Sequence, residues 1–137
     1  LSYIDINFLD NHVIPHIFLT TKDTNIIPLG NIEPKRDYIH VDDIAKAFQK
    51  VTQNRSNLNG FDIFNIGTGK EYSVIDLVKM IGNILGKELE IQEKEDKKRK
   101  VERMHLIADI SKIKKILGWE PNISLKDALL NTAEYYK

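Results

Sequence analysis

No cysteine occurs in these 137 residues, which excludes a disulfide framework and any thiolate metal site and fits a reducing, cytoplasmic compartment. No charge of either sign predominates: 20 Lys and Arg stand against 20 Asp and Glu, so no global field recruits nucleic acid or an anionic membrane. No apolar run approaches the roughly 20 residues needed to span a bilayer. The N-terminus, Leu1-Ser2-Tyr3-Ile4-Asp5, lacks the basic start and continuous apolar core of a signal peptide, and the lack of an initiator Met points to a fragment of a longer chain. The length is one domain's worth, enough for a single core.

What is present is organised around Lys35-Arg36-Asp37-Tyr38-Ile39-His40-Val41-Asp42-Asp43. From Asp37 to Val41 the residues suit a half-buried strand. Asp42 or Asp43 then caps a helix with apolar residues at 44, 47, 48 and 51. Arg36 stands just before the strand, where a fixed guanidinium suits a phosphate. On residue type alone, Arg36 and Asp37 read equally well as surface charges at a strand edge.

Upstream, a loop to about Asp10 leads to Asn11-His12-Val13-Ile14-Pro15, where Asn11 can cap a helix and Pro15 falls in or near its first turn. Asn25 to Asn31 follows as a short strand that Pro28 marks as an edge or an ending. Downstream, Phe61 to Ile66 reads as a strand ending in the turn Gly67-Thr68-Gly69. Ser73, with Asp76 three residues on, starts a helix whose buried stripe is Val74, Leu77, Val78, Ile81, Ile84 and Leu85. Gly67-x-Gly69 is not a dinucleotide fingerprint, because Tyr72 stands at its third position and no acidic residue ends a second strand about 20 residues on.

Residues 88–103 are the most charged stretch and read as a solvated loop. Lys97 to Lys100 make a poor nucleic-acid patch, since carboxylates surround them and no aromatic is interleaved for stacking. Asp109 then caps a helix carrying Ile110, Ile113, Ile116 and Leu117, which Gly118 ends and Pro121 keeps from resuming. Ser124 and Asp127 start a last helix with Leu125, Ala128, Leu129, Ala133 and Tyr136 inward.

Three blocks in this order, Arg-Asp-Tyr-Ile-His-Val-x-Asp with its helix, Phe61 to Gly69, and Ala108-Asp109-Ile110-Ser111-Lys112 with Leu117-Gly118-Trp119-x-Pro121, resemble the C-terminal half of the extended short-chain dehydrogenase/reductases. These are the NAD-dependent nucleotide-sugar epimerases and dehydratases. The resemblance implies an α/β fold: the C-terminal substrate-binding lobe, residues 1–137, with short strands and about five helices, the N-terminal dinucleotide-binding half absent, and segment 43–66 packing on that missing sheet. It implies that Arg36 and Arg99 meet the diphosphate of a nucleotide-diphosphate sugar, that Glu102 accepts from its ribose hydroxyls, and that Asn11 and His12 face the diphosphate sugar. Ile27, Leu29 and Val74 would flank the base, with Tyr38 beside them in the substrate site. His12 reads equally as a solvated first-turn histidine. Lys100 and Val101 depart from the proline and glycine common in the family at those positions.

No Tyr-x-x-x-Lys is present, since none of Tyr3, Tyr38, Tyr72, Tyr135 and Tyr136 has a lysine four residues later. In the family that tyrosine is the catalytic base and the lysine holds the nicotinamide ribose. The resemblance therefore implies no catalytic residue here, NAD bound mainly by the missing half of a parent enzyme, an inactive chain, a homodimeric parent and a fragment prone to self-association. The alternatives are a stand-alone nucleotide-binding or regulatory module and a basic-loop nucleic-acid binder. Leu29-Gly30-Asn31 with Lys35-Arg36-Asp37 resembles the GDP-mannose 4,6-dehydratases, whereas Tyr38-Ile39-His40-Val41 resembles the UDP-galactose 4-epimerases.

Overall fold

The computed structural model describes residues 12–58, 60–97 and 103–137, with the side chains of Asn57 and Lys97 excepted. In chain order the elements are α1 (Val13–Thr20), β1 (Ile26–Leu29), β2 (Lys35–Arg36), α2 (Val41–Gln53), β3 (Tyr72–Ser73), α3 (Val74–Leu85), β4 (Glu90–Glu93), β5 (His105–Leu106), α4 (Ser111–Leu117) and α5 (Leu125–Tyr135). They fall into two compact units. The first takes residues 1–34, 73–104 and 129–137, and the second 35–72 and 105–128.

In the first unit β1 and β4 pair in parallel, Ile27 opposite Ile91 and Leu29 opposite Glu93. Among the described residues each has a neighbour on one side only, and an edge position tolerates Pro28, with no N–H to give, inside β1. Ile27 and Leu29 point into the core with Ile17, Phe18, Leu77, Val78 and Ile81. Ser73 closes the capping box: its hydroxyl accepts from Asp76 N at 3.1 Å, and the Asp76 carboxylate accepts from Ser73 N at 2.8 Å. Gly86 ends α3 at φ +63°, a left-handed conformation that a Cβ would strain. Phe18 stacks on Tyr136 with ring centroids 5.4 Å apart.

The second unit holds β2, the middle strand of the order β3-β2-β5, and β5, which pair in parallel with Arg36 opposite Leu106. Its core is Ala47 from α2, Ile113 and Leu117 from α4, and Trp119, with Ile39, Val51, Phe64, Ile66 and Ile110 packed around them. Asp43 is fully buried; its Oδ2 accepts from Asn122 N at 3.0 Å and Ile123 N at 2.8 Å, tying the first turn of α2 to the turn after Trp119. Lys46 lies 3.6 Å from Asp43 Oδ1, an ion-pair distance too long for a hydrogen bond.

Several local expectations are corrected. The strand is Lys35–Arg36 rather than Asp37 to Val41, and α2 is capped by His40 rather than Asp42 or Asp43. The His40 ring nitrogen Nδ1 accepts from Asp42 N at 3.2 Å, while the Asp43 carboxylate is engaged by Asn122 and Ile123. Phe61 to Ile66 forms no strand, because among the described residues no strand lies alongside to complete a ladder. Ile63 O accepts instead from Lys112 Nζ at 2.9 Å, and Asn65 donates to Asp109 O at 3.3 Å. Asp109 does not stand at the cap position of α4, which is Ile110: its carboxylate accepts from Ser111 N at 2.9 Å, two residues before the helix that starts at Ser111. The charged stretch contains β4 and, after it, a 3-10 turn at Glu95–Lys97. The helix cap expected at Asn11 and the loop to Asp10 lie outside the described residues.

Candidate functional site

Asp37 is the junction of the second unit. Its backbone N–H donates to Leu106 O at 3.0 Å, extending the β2 to β5 ladder by one residue. Its carboxylate accepts from Thr68 N at 2.9 Å, Thr68 Oγ1 at 2.5 Å, Gly69 N at 3.0 Å and Ala108 N at 3.2 Å. Gly67 passes so close that a Cβ on it would stand 2.6 Å from Asp37 Oδ2 and 2.5 Å from Ala108 Cβ, so the turn admits only glycine there. The sequence shows Asp37 as one more charge at a strand edge. The signal that could have singled it out is a carboxylate one residue past a strand together with a Gly-Thr-Gly turn, whose N–H groups and hydroxyl need an acceptor.

The same bonds decide what the glycine turn can do. The N–H groups of Thr68 and Gly69 are already given to a carboxylate, so a phosphate at this turn would meet negative charge and find no donors. The turn therefore does not fit the pyrophosphate of NAD.

On either side of Asp37 stand Arg36 and Tyr38. Arg36 is half-buried at the end of β2, with Nη1 donating to Lys35 O at 2.8 Å. Tyr38 is half-buried as well. Burial pushes its phenol above the ordinary 10.0, while the nearby Arg36 guanidinium pulls it back down. Tyr38, Thr68, Lys70 and Tyr72 line a cleft of about 220 Å³ closed on the other side by residues 121–125. The cleft combines one cation, Lys70, and the hydroxyls of Tyr38, Thr68, Tyr72 and Ser124 with the apolar Pro121, Ile123 and Leu125, a mixture suited to a polar small molecule with an anionic end.

The remaining sequence-derived site residues are distributed as follows. Arg36 and Tyr38 come together in the second unit. Ile27, Leu29, Val74 and His12 belong to the first unit. There Ile27 and Leu29 face its core, Val74 is half-buried as the first residue of α3, and His12 is exposed at the start of α1. Asn11, Arg99 and Glu102 lie outside the described residues. Among the described residues no group of His, Asp and Glu is placed to hold a metal ion, and no helix is long and apolar enough to cross a membrane.

The sequence model of the GDP-mannose 4,6 dehydratase family matches residues 3–132. UDP-glucose 4-epimerase of Bacillus subtilis is 32% identical over 131 residues, 90% of this chain and 38% of that protein. GDP-L-fucose synthase 1 of Arabidopsis thaliana is 28% identical over 93% of this chain and 39% of its own length. Among solved structures, the UDP-glucose 4-epimerase of Thermotoga maritima with UDP-glucose superposes at a TM-score of 0.73 with 32% identity, covering 91% of this chain and 39% of that one. The UDP-glucuronic acid 4-epimerase of Bacillus cereus in complex with NAD gives a TM-score of 0.77 at 24% identity, over 93% of this chain and 39% of that one, which is a likeness of fold. The chain thus spans well under half the length of these relatives.

The family match overturns part of what the resemblance implied. A C-terminal lobe without the dinucleotide-binding half is not what is found. The family model runs over residues 3–132, nearly the whole chain, and the parallel pairing of β1 with β4 is a Rossmann-type pairing carried by this chain itself. The expectation of a merely non-catalytic binding fragment rested on that premise and falls with it, as does the inactivity assigned to the chain. The assignment of NAD to a separate, missing half falls for the same reason. The chain belongs to the GDP-mannose 4,6 dehydratase family, among the NAD-dependent nucleotide-sugar epimerases and dehydratases of carbohydrate biosynthesis.

Proposed function

We propose that this chain serves the NAD-dependent conversion of a nucleotide-diphosphate sugar, by epimerisation or by 4,6-dehydration, and that its own residues grip the nucleotide diphosphate. The observation that carries this reading is the fixed position of Arg36, held at the end of β2 by the ladder to β5 and followed directly by the Asp37 junction and the Tyr38 cleft. A diphosphate carries two negative charges beside a ribose diol, and a guanidinium on a rigid strand end binds such oxygens without first having to be ordered. Arg36 and Arg99 neutralise the diphosphate in this reading, and Glu102 accepts from the ribose. Tyr38, next to Arg36 in the second unit, faces the phosphates and sugar in the same reading.

When bound, NAD would supply the redox chemistry, as the acceptor of a hydride from the sugar C4. The contribution of this chain's residues is to fix the sugar nucleotide so that C4 is presented in one orientation. No NAD contact is assigned to the Gly67 to Gly69 turn, whose donors are spent on Asp37. The relatives' names include both UDP- and GDP-sugar enzymes, so the base is left to experiment. A cytoplasmic location and assembly as a homodimer belong to the same reading.

The test is calorimetric titration with UDP, dTDP, GDP and CDP, repeated with Arg36→Ala and Arg99→Ala. One charge-assisted hydrogen bond is worth roughly 1.5 to 3 kcal/mol, so each substitution should weaken the preferred nucleotide about tenfold or more. Equal affinity in wild type and both variants would sink the reading.

A further inference from the structure

Beyond the bond from its own Nη1 to Lys35 O, Arg36 is placed by the contacts of the residue that follows it. Three segments distant in sequence, the end of β2, the 67–69 turn and the stretch that follows β5 to Ala108, meet at one carboxylate, and that carboxylate belongs to the residue immediately after Arg36. We infer that Asp37 is a positioning residue for the diphosphate grip: by accepting from Thr68, Gly69 and Ala108 it fixes the end of β2 and, with it, the direction in which the Arg36 guanidinium projects. The inference rests on the proposed role of Arg36.

Three observations support it. The carboxylate spends both oxygens on protein donors, Oδ1 on Thr68 and Oδ2 on Thr68, Gly69 and Ala108, so it is an organiser rather than a ligand-binding acid. The β2 to β5 ladder is only two residues long, and Asp37 N to Leu106 O extends it beyond Arg36. Gly67 leaves no space beside the carboxylate, so Asp37 has one place to sit. Asn cannot replace it fully, because its amide nitrogen cannot accept the bonds that one carboxylate oxygen now takes.

Tyr38 provides a readout of Arg36 that needs no nucleotide, because the guanidinium lowers the titration of the phenol. Tyrosine ionisation would be followed by NMR of ring-labelled protein in wild type, Arg36→Ala, Asp37→Asn and the double variant. Removing a negative charge near a phenol can by itself only ease its ionisation. A rise of the Tyr38 midpoint in Asp37→Asn, in the direction seen for Arg36→Ala and with no further rise in the double variant, is therefore the expected result and reports a displaced guanidinium. An unchanged or lowered midpoint would overturn the inference. If Asp37→Asn fails to fold, Thr68→Val, which deletes the hydroxyl that donates to Oδ1 and keeps the backbone, is measured in the same cycle with Arg36→Ala under the same criterion. Calorimetry with UDP and GDP on the same proteins separates the two claims. Nucleotide affinity should fall about tenfold in Asp37→Asn and no further in the double variant than in Arg36→Ala alone. A raised Tyr38 midpoint in a protein that binds no nucleotide would retain Asp37 as the positioning residue of Arg36 and discard the diphosphate role.

Discussion

At the scale of single residues, neighbours of similar appearance in the sequence have opposite duties. Asp37 and Asp43 face inward and gather backbone N–H groups, while Asp42 is exposed in the first turn of α2, where a carboxylate favours the helix dipole. Tyr38 gives this scale its pH signature. Its folded value is raised above the ordinary 10.0, so its contribution to stability is intact below about pH 10 and is lost as pH rises through the folded value. Urea melts at pH 9 and pH 11 should show a loss of stability across that interval that is smaller in Tyr38→Phe. An equal loss in both proteins would show that other groups govern the alkaline limb.

At the scale of elements, local chemistry sets the ends of helices. In α3 the Ser73 box starts the helix and Gly86 finishes it, with nothing within 4 Å of where a Cβ would stand. Ser73→Ala should cost about 1 kcal/mol for the lost cap, and Gly86→Ala about 1 to 2 kcal/mol for the left-handed backbone alone, both read from denaturant melts. A neutral Gly86→Ala would mean that the turn adopts another conformation. The Ser73 end was legible because capping is a contact between residues three apart, whereas the end at Gly86 comes from the structure. The start of α2 was not legible. Asp42 and Asp43 look like the stronger caps, and only the pull of Asn122 and Ile123 on Asp43 leaves the duty to His40. Glu90 to Glu93 shows the same limit: it has one apolar residue and becomes a strand because β1 lies beside it.

At the scale of the whole molecule, the described residues form two compact units with separate cores. The second leaves large apolar side chains in the open: Phe48 is 63% exposed, and Phe61 and Ile63 are 84% and 64% exposed along an extended segment with no strand partner. Surfaces of this kind associate. Sedimentation velocity over a concentration series should show association in the chain as given, with Phe48→Lys and Phe61→Lys together raising the monomer share. A wild-type chain that stays monomeric throughout the series would refute this.

The sequence by itself determined the family, through three ordered blocks, and the periodic helices with their Ser73, Gly118 and Ser124 boundaries, because these depend on residues close along the chain. It also marked Arg36. Tertiary structure alone decided that Asp37 is a junction rather than a surface charge, that it takes up the N–H groups of the Gly67 to Gly69 turn, and that Glu90 to Glu93 and His105 to Leu106 are strands while Phe61 to Ile66 is not. Each of those outcomes depends on a hydrogen-bond partner 30 or more residues away, or on its absence among the described residues, and no local pattern of side chains encodes where such a partner will lie.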